Sequence, residues 1–144
     1  MRSASPLRYP GGKWRLSGFL ARYLARNFER PPEYIEPYAG GASLALSLLF
    51  NRTVSRIWLN DLDPAIHACW KAMLENSERF CLAIERTPIT PEEWRSQRSI
   101  YSRGSQNDTF SLGFATFFLN RTNHSGILNG GMIGGEIANW PMAA

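Results

Sequence analysis

The stretch Tyr34-Ile35-Glu36-Pro37-Tyr38-Ala39-Gly40-Gly41-Ala42-Ser43, running on through residues 44–50, decides how the rest of the chain is read. Ile35 and its neighbours form a short strand by pattern. An acid and a proline close it, two glycines turn the chain, and residues 42–50 are good helix formers. A strand that breaks on glycines and re-enters as a helix brings backbone N–H groups towards a ligand at the carboxyl edge of a sheet. Glu36, at the strand end, is placed to accept hydrogen bonds from a polar ligand. The segment is neither a GxGxxG fingerprint nor a P-loop, because no Gly-Lys-Ser/Thr follows it. A plain turn explains such a joint equally well.

The next segment gives the joint a partner. Residues 54–61, Val54-Ser55-Arg56-Ile57-Trp58-Leu59-Asn60-Asp61, are β-branched and aromatic and end on an acid, the pattern of a second strand. In nucleotide-binding α/β units an acid at the end of the second strand, about 20 residues past the glycines, takes the ribose hydroxyls. Asp61 stands there. Asp63 has a complete alternative role as the N-cap of a following helix, with Pro64 in its first position.

At 144 residues with 44% hydrophobic and 19% charged side chains, the chain has the composition of a folded globular protein. Five Trp, eight Phe and five Tyr make it rich in aromatic rings, and its net charge of +4 is compatible with a polyanionic partner without requiring one. Cys69 and Cys81 form no CxxC or disulfide framework, and His67 and His124 have no ligand spacing. No metal site is expected, and a reducing, cytoplasmic setting is the natural reading. No leader is visible, and the longest apolar stretch, near residues 42–50, is too short to span a bilayer.

The N-terminal segment Pro6-Leu7-Arg8-Tyr9-Pro10-Gly11-Gly12-Lys13 excludes a helix until Lys13. Beyond it Trp14, Leu16, Phe19, Leu20, Tyr23, Leu24 and Phe28 recur at helical spacing, predicting an amphipathic helix. Lys13 at its start opposes the helix dipole, an arrangement eased by an anion such as a carboxylate or phosphate. A solvated lysine is the alternative. Residues 27–33 form a linker on Pro31-Pro32. Residues 64–86 are helical in pattern with a break near Asn76-Ser77. Thr90-Pro91-Glu92-Glu93 reads as a capping box opening another helix. Arg95, Arg98 and Arg103 on it fit a solvated face. Residues 108–120 read as a buried helix, followed by a polar, glycine-rich loop or irregular hairpin. Arg121 there is a candidate phosphate contact.

Three segments in fixed order carry a family resemblance. Tyr9-Pro10-Gly11-Gly12-Lys13 resembles the N-terminal cofactor motif of Dam-like N6-adenine DNA methyltransferases. Glu36-Pro37-Tyr38-Ala39-Gly40-Gly41-Ala42-Ser43 resembles their S-adenosylmethionine loop, and Asn60-Asp61-Leu62-Asp63 their acidic strand end. Phe118-Leu119-Asn120-Arg121 followed by Gly126 resembles the lead into their DNA-recognition region.

The resemblance implies an α/β, Rossmann-like methyltransferase fold with an incomplete sheet and the start of a helical DNA-recognition region. It implies S-adenosylmethionine as methyl donor and DNA as partner, in site-specific methylation such as that of restriction–modification. Tyr9, Lys13, Glu36, Gly40, Gly41 and Asp61 would form the cofactor site, and Arg121 and Asn123 would meet DNA. Tyr9 or Tyr38 would face the cationic sulfonium. The implied organisation is a cofactor-binding part over 1–86, a helical segment over 87–135, and an atypical tail over 136–144.

One motif of that family is missing. The catalytic Asp/Asn-Pro-Pro-Tyr/Phe/Trp sequence, which would hold a flipped-out adenine, does not occur. The only Pro-Pro, in Arg30-Pro31-Pro32-Glu33, lacks both flanking residues and precedes the cofactor loop. No catalytic residue is therefore assigned. The expectation is a truncated chain, inactive alone, served by a separate C-terminal fragment. A non-enzymatic cofactor- or DNA-binding remnant, and a different adenosine-binding α/β protein, stand as alternatives.

Overall fold

The computed structural model describes residues 5–9, 12–104 and 108–135. Pro10 and Gly11 of the N-terminal motif, and the 136–144 tail, lie outside the described residues. The chain divides into two compact units, 1–62 and 63–144. The helices of 64–86 pack with those that follow them.

The first unit is a β-α-β arrangement preceded by a helix. Strand β1 (Glu33–Glu36) pairs in parallel with β2 (Arg56–Leu59), Ile35 opposite Trp58 and Glu36 opposite Leu59. Helix α2 (Ser43–Phe50) makes the crossover, and α1 (Ser17–Asn27) precedes β1 after a 3-10 turn at Lys13–Leu16. Parallel pairing demands such a crossover, since a tight hairpin reverses direction. Strand alternation puts Tyr34 and Ile57 inward, against a core of Leu24, Leu44, Leu48 and Val54. Burying Leu48 alone stabilises this core by about 2 kcal/mol.

The apolar stripe of α1 behaves differently from its pattern. Leu24 is buried, but Leu16, Phe19, Tyr23 and Phe28 are exposed, and Phe19 and Tyr23 stack on each other at 6.5 Å. Only the Leu20–Leu24 edge of the stripe meets the α2 core, because a two-stranded sheet with one crossover helix offers little surface to cover.

The second unit is helical: α3 (Pro64–Glu75), α4 (Ser77–Arg86), α5 (Pro91–Arg103) and α6 (Thr109–Thr122). The expected caps form. Asp63 Oδ1 accepts from Ala65 N at 2.8 Å with Pro64 at the first position, and Thr90 Oγ1 accepts from Glu93 N at 3.2 Å. The Glu93 side chain, however, accepts from Gln97 Nε2 at 2.6 Å, so only half of the capping box is made.

Helices α3 and α6 meet closely at Gly113, where a Cβ would lie 2.3 Å from the Ala68 carbonyl oxygen. Phe80 fills the neighbouring core with edge-on contacts to Phe110, Phe114 and Phe117. Among the described residues no helix is long and apolar enough to cross a membrane.

Candidate functional site

Six of the sequence-predicted residues, Tyr9, Lys13, Glu36, Gly40, Gly41 and Asp61, converge at the carboxyl edge of the sheet, all within the first unit. Both strands end there, β1 on Glu36 and β2 running into Asn60-Asp61. The backbone continues the pairing one step past the strands, Asn60 N–H to the Glu36 carbonyl at 3.0 Å and Ala39 N–H to the Asn60 carbonyl at 2.9 Å. That pairing fixes the start of the glycine loop directly beside Asp61.

The loop is built from left-handed residues: Gly40 at φ +48° and Ala42 at φ +49°. Glycine takes this conformation freely, whereas alanine pays about 1 kcal/mol. Gly40 N–H donates to Asp61 Oδ2 at 2.7 Å. The acidic strand end thus ties the loop down, and this N–H faces protein where a ligand was expected.

The glycines also have a steric role. A Cβ on Gly40 would lie 2.7 Å from the Tyr9 ring, and one on Gly41 would lie 2.9 Å from Ser5 Oγ and 3.3 Å from the Leu7 carbonyl oxygen. The N-terminal segment therefore rests on the glycine pair, with buried Leu7 as its anchor. Sequence reading missed Ser5 and Leu7. Their only signal was a lone leucine among proline, glycine and polar residues.

Lys13 and Glu36 form the electrostatic centre. Glu36 is 2% exposed, its Oε1 lies 3.0 Å from Lys13 Nζ, and its Oε2 accepts from Ala45 N at 3.1 Å, inside the first turn of α2. A carboxylate there is favoured by the helix dipole as well as by the lysine. Lys13 Nζ also donates to the Tyr38 carbonyl at 2.8 Å. The anion inferred beside Lys13 is thus this glutamate. Around the loop Tyr9 and Tyr38 expose their rings, at 45% and 69%. Glu36 is a buried support, so the edge presents the Asp61 carboxylate, the half-exposed Lys13 and two aromatic faces, a set suited to a ligand bearing a cation and hydroxyl groups.

The two predicted nucleic-acid contacts lie in the second unit and part company. Arg121 is exposed on the last turn of α6, on the wall of a cavity of about 200 Å³ lined by Ile84, Ile89, Phe114, Phe117 and Phe118. Asn123 is fully buried. Its Oδ1 accepts from Trp94 Nε1 at 2.7 Å, and its Nδ2 donates to the Ile127 and Leu128 carbonyls at 2.8 and 3.0 Å. These bonds, with the Asn123–Met132 bridge, hold the segment after α6 in a compact arch. Asn123, expected to meet DNA, is placed as a buried amide whose bonds hold the arch.

Compared with known proteins, residues 9–127 match the family model described as D12 class N6 adenine-specific DNA methyltransferase. No curated protein sequence matches the chain.

Proposed function

The chain belongs to the D12 class N6 adenine-specific DNA methyltransferase family, whose reaction is methylation of adenine in DNA, and from that premise we propose that its first unit is the cofactor-holding part of a Rossmann-like methyltransferase domain. The observation that carries this reading is the meeting of Tyr9, Lys13, Glu36, Gly40, Gly41 and Asp61 at one sheet edge. The donor set fits S-adenosylmethionine. Asp61 suits the ribose diol, and the ring faces of Tyr9 and Tyr38 suit the sulfonium. When bound, the cofactor supplies an electrophilic methyl group. Glu36 and Lys13 hold one another, and through Tyr38 they fix the rim on which that group would sit.

The second unit takes the DNA-facing task, with Arg121 as a phosphate contact. The 144 residues contain no Asp/Asn-Pro-Pro-aromatic sequence. We assign them cofactor holding without adenine positioning. Asp61→Ala is expected to weaken S-adenosylmethionine binding by about 1–3 kcal/mol, the range for a lost charged hydrogen bond. Calorimetry on a variant with unchanged circular dichroism measures it, and wild-type affinity would remove Asp61 from the site. Tritiated methyl transfer to unmethylated DNA tests the division of labour. Sustained turnover by the chain alone would refute it.

A further inference from the structure

At the opposite, amino-terminal edge of the sheet the first unit carries a groove of about 540 Å³. Its walls are α1, the 28–32 segment entering β1, and the 51–53 turn leaving α2. Arg22, Arg30 and Arg52 line it together with Phe28, and Glu29 is the acid present. None of the three guanidinium groups makes a hydrogen bond or ion pair with another described residue. The groove lining, three arginines against one glutamate, therefore carries a net positive charge, with the exposed Phe28 ring beside it.

Arg52 carries the argument further. Helix α2 ends in a Schellman turn, Thr53 N–H to the Leu48 carbonyl at 2.9 Å and Arg52 N–H to the Leu49 carbonyl at 2.9 Å. Arg52 occupies the left-handed position of that turn, at φ +55°. Glycine is the residue ordinarily found there, and an arginine in its place is strained. Relief of the helix dipole by a cation offsets part of that cost, but it does not account for two further arginines at the same groove. Pro31 and Pro32 stiffen the facing wall.

We propose that this groove is a nucleoside-phosphate site distinct from the sheet's carboxyl edge, the three arginines taking phosphate oxygens and Phe28 stacking on the base. Guanidinium forks match phosphate, and an aromatic face accepts any base. The unit recognised is a nucleotide, either free or as part of a nucleic-acid strand, and the inference does not depend on the cofactor reading above.

The test uses the full chain with inorganic phosphate, thymidine monophosphate and a short oligothymidylate as probes. Arg30→Gln and Arg52→Gly are each expected to lower oligothymidylate affinity about five- to tenfold. The slope of log affinity on log salt should become shallower by about 0.7 for each charge removed. Arg52→Gly is the informative variant, because glycine relaxes the turn: folding stability should hold or rise while binding falls. Phe28→Leu should weaken thymidine monophosphate and oligothymidylate and leave inorganic phosphate unchanged. Equal affinity for monophosphate and oligonucleotide identifies a free nucleotide as the ligand, and oligonucleotide binding alone identifies a strand. Asp61→Ala, at the other edge, should leave all of this unaltered. Binding unchanged by the arginine variants, or absent for all three probes, overturns the proposal.

Discussion

Lys13→Met is expected to destabilise the protein more than Glu36→Gln, although both break the same ion pair. The asymmetry follows from burial: the Lys13 side chain is 43% exposed and that of Glu36 3%. Removing the lysine strands a buried carboxylate that keeps its hydrogen bond from the Ala45 N–H. Stranding a buried charge costs about 3–5 kcal/mol, and the surviving hydrogen bond sets the expectation near the lower bound. Glutamine at 36 keeps an oxygen for Ala45 and returns a half-exposed ammonium to water, which costs about 1 kcal/mol.

The difference, about 2 kcal/mol, corresponds to about 1–2 M in urea midpoint for a slope of 1–2 kcal/mol/M. Urea unfolding at neutral pH, followed by circular dichroism, measures both single variants and the double variant. In the double variant the charge to strand is gone, so it should be more stable than Lys13→Met alone. Equal midpoints for the two single variants, or a double variant at the sum of their losses, would refute the account of a buried anion held by one lysine.

Three further outcomes are expected. Gly113→Ala should destabilise the helical unit by about 1–3 kcal/mol, despite alanine's higher helix propensity, because its Cβ meets the Ala68 backbone at 2.3 Å; thermal unfolding reads the sign. Burial pushes the Cys69 thiol up to about 12, whereas Cys81 is exposed; iodoacetamide at neutral pH should label Cys81 alone, as mass spectrometry would show. The Asp108 carboxyl is held below its ordinary range, first by the Ser111 hydroxyl and then by the Ser111 N–H it caps. A depressed carboxyl contributes stability above its unfolded pKa and loses it as pH falls through the folded value. The gap between wild type and Asp108→Ala should thus be about 1 kcal/mol at neutral pH and close below about pH 4 in thermal melts.

How far the sequence reached depended on whether the deciding physics was local. Asp63-Pro64 and Thr90-Pro91 specify helix starts within three or four residues, and both caps formed. The strand, glycine turn and helix of 33–50 were legible for the same reason. Spacing paired Asp61 with the glycine loop, but the meeting of Tyr9 and Lys13 with that loop rested on family resemblance, since nothing in the spacing brings residue 9 to residue 40. What was missed was tertiary. Periodicity marked Phe19 and Tyr23 as core, but a pattern cannot say how much partner surface exists to cover it. Asn123 sits in a polar, glycine-rich run that reads as surface loop. Its burial depends on Trp94, 29 positions earlier, supplying the matching donor. The glycine N–H was assigned to a ligand because the carboxylate that takes it, Asp61, lies 21 positions away.

The Asn123 amide has a thermodynamic consequence for whatever meets the arch beyond α6. Fixing a residue's backbone costs about 1–2 kcal/mol of conformational entropy, and a loose loop pays it at the moment of binding. Here three carbonyls of the arch are already held by side chains: Ile127 and Leu128 by Asn123, Leu128 also by Arg98, and Gly126 by Asn120. The exposed His124, Ser125 and Asn129 are therefore presented on a backbone ordered during folding. A ligand contacting them would find most of that entropy already lost, and its contacts would count almost fully towards affinity.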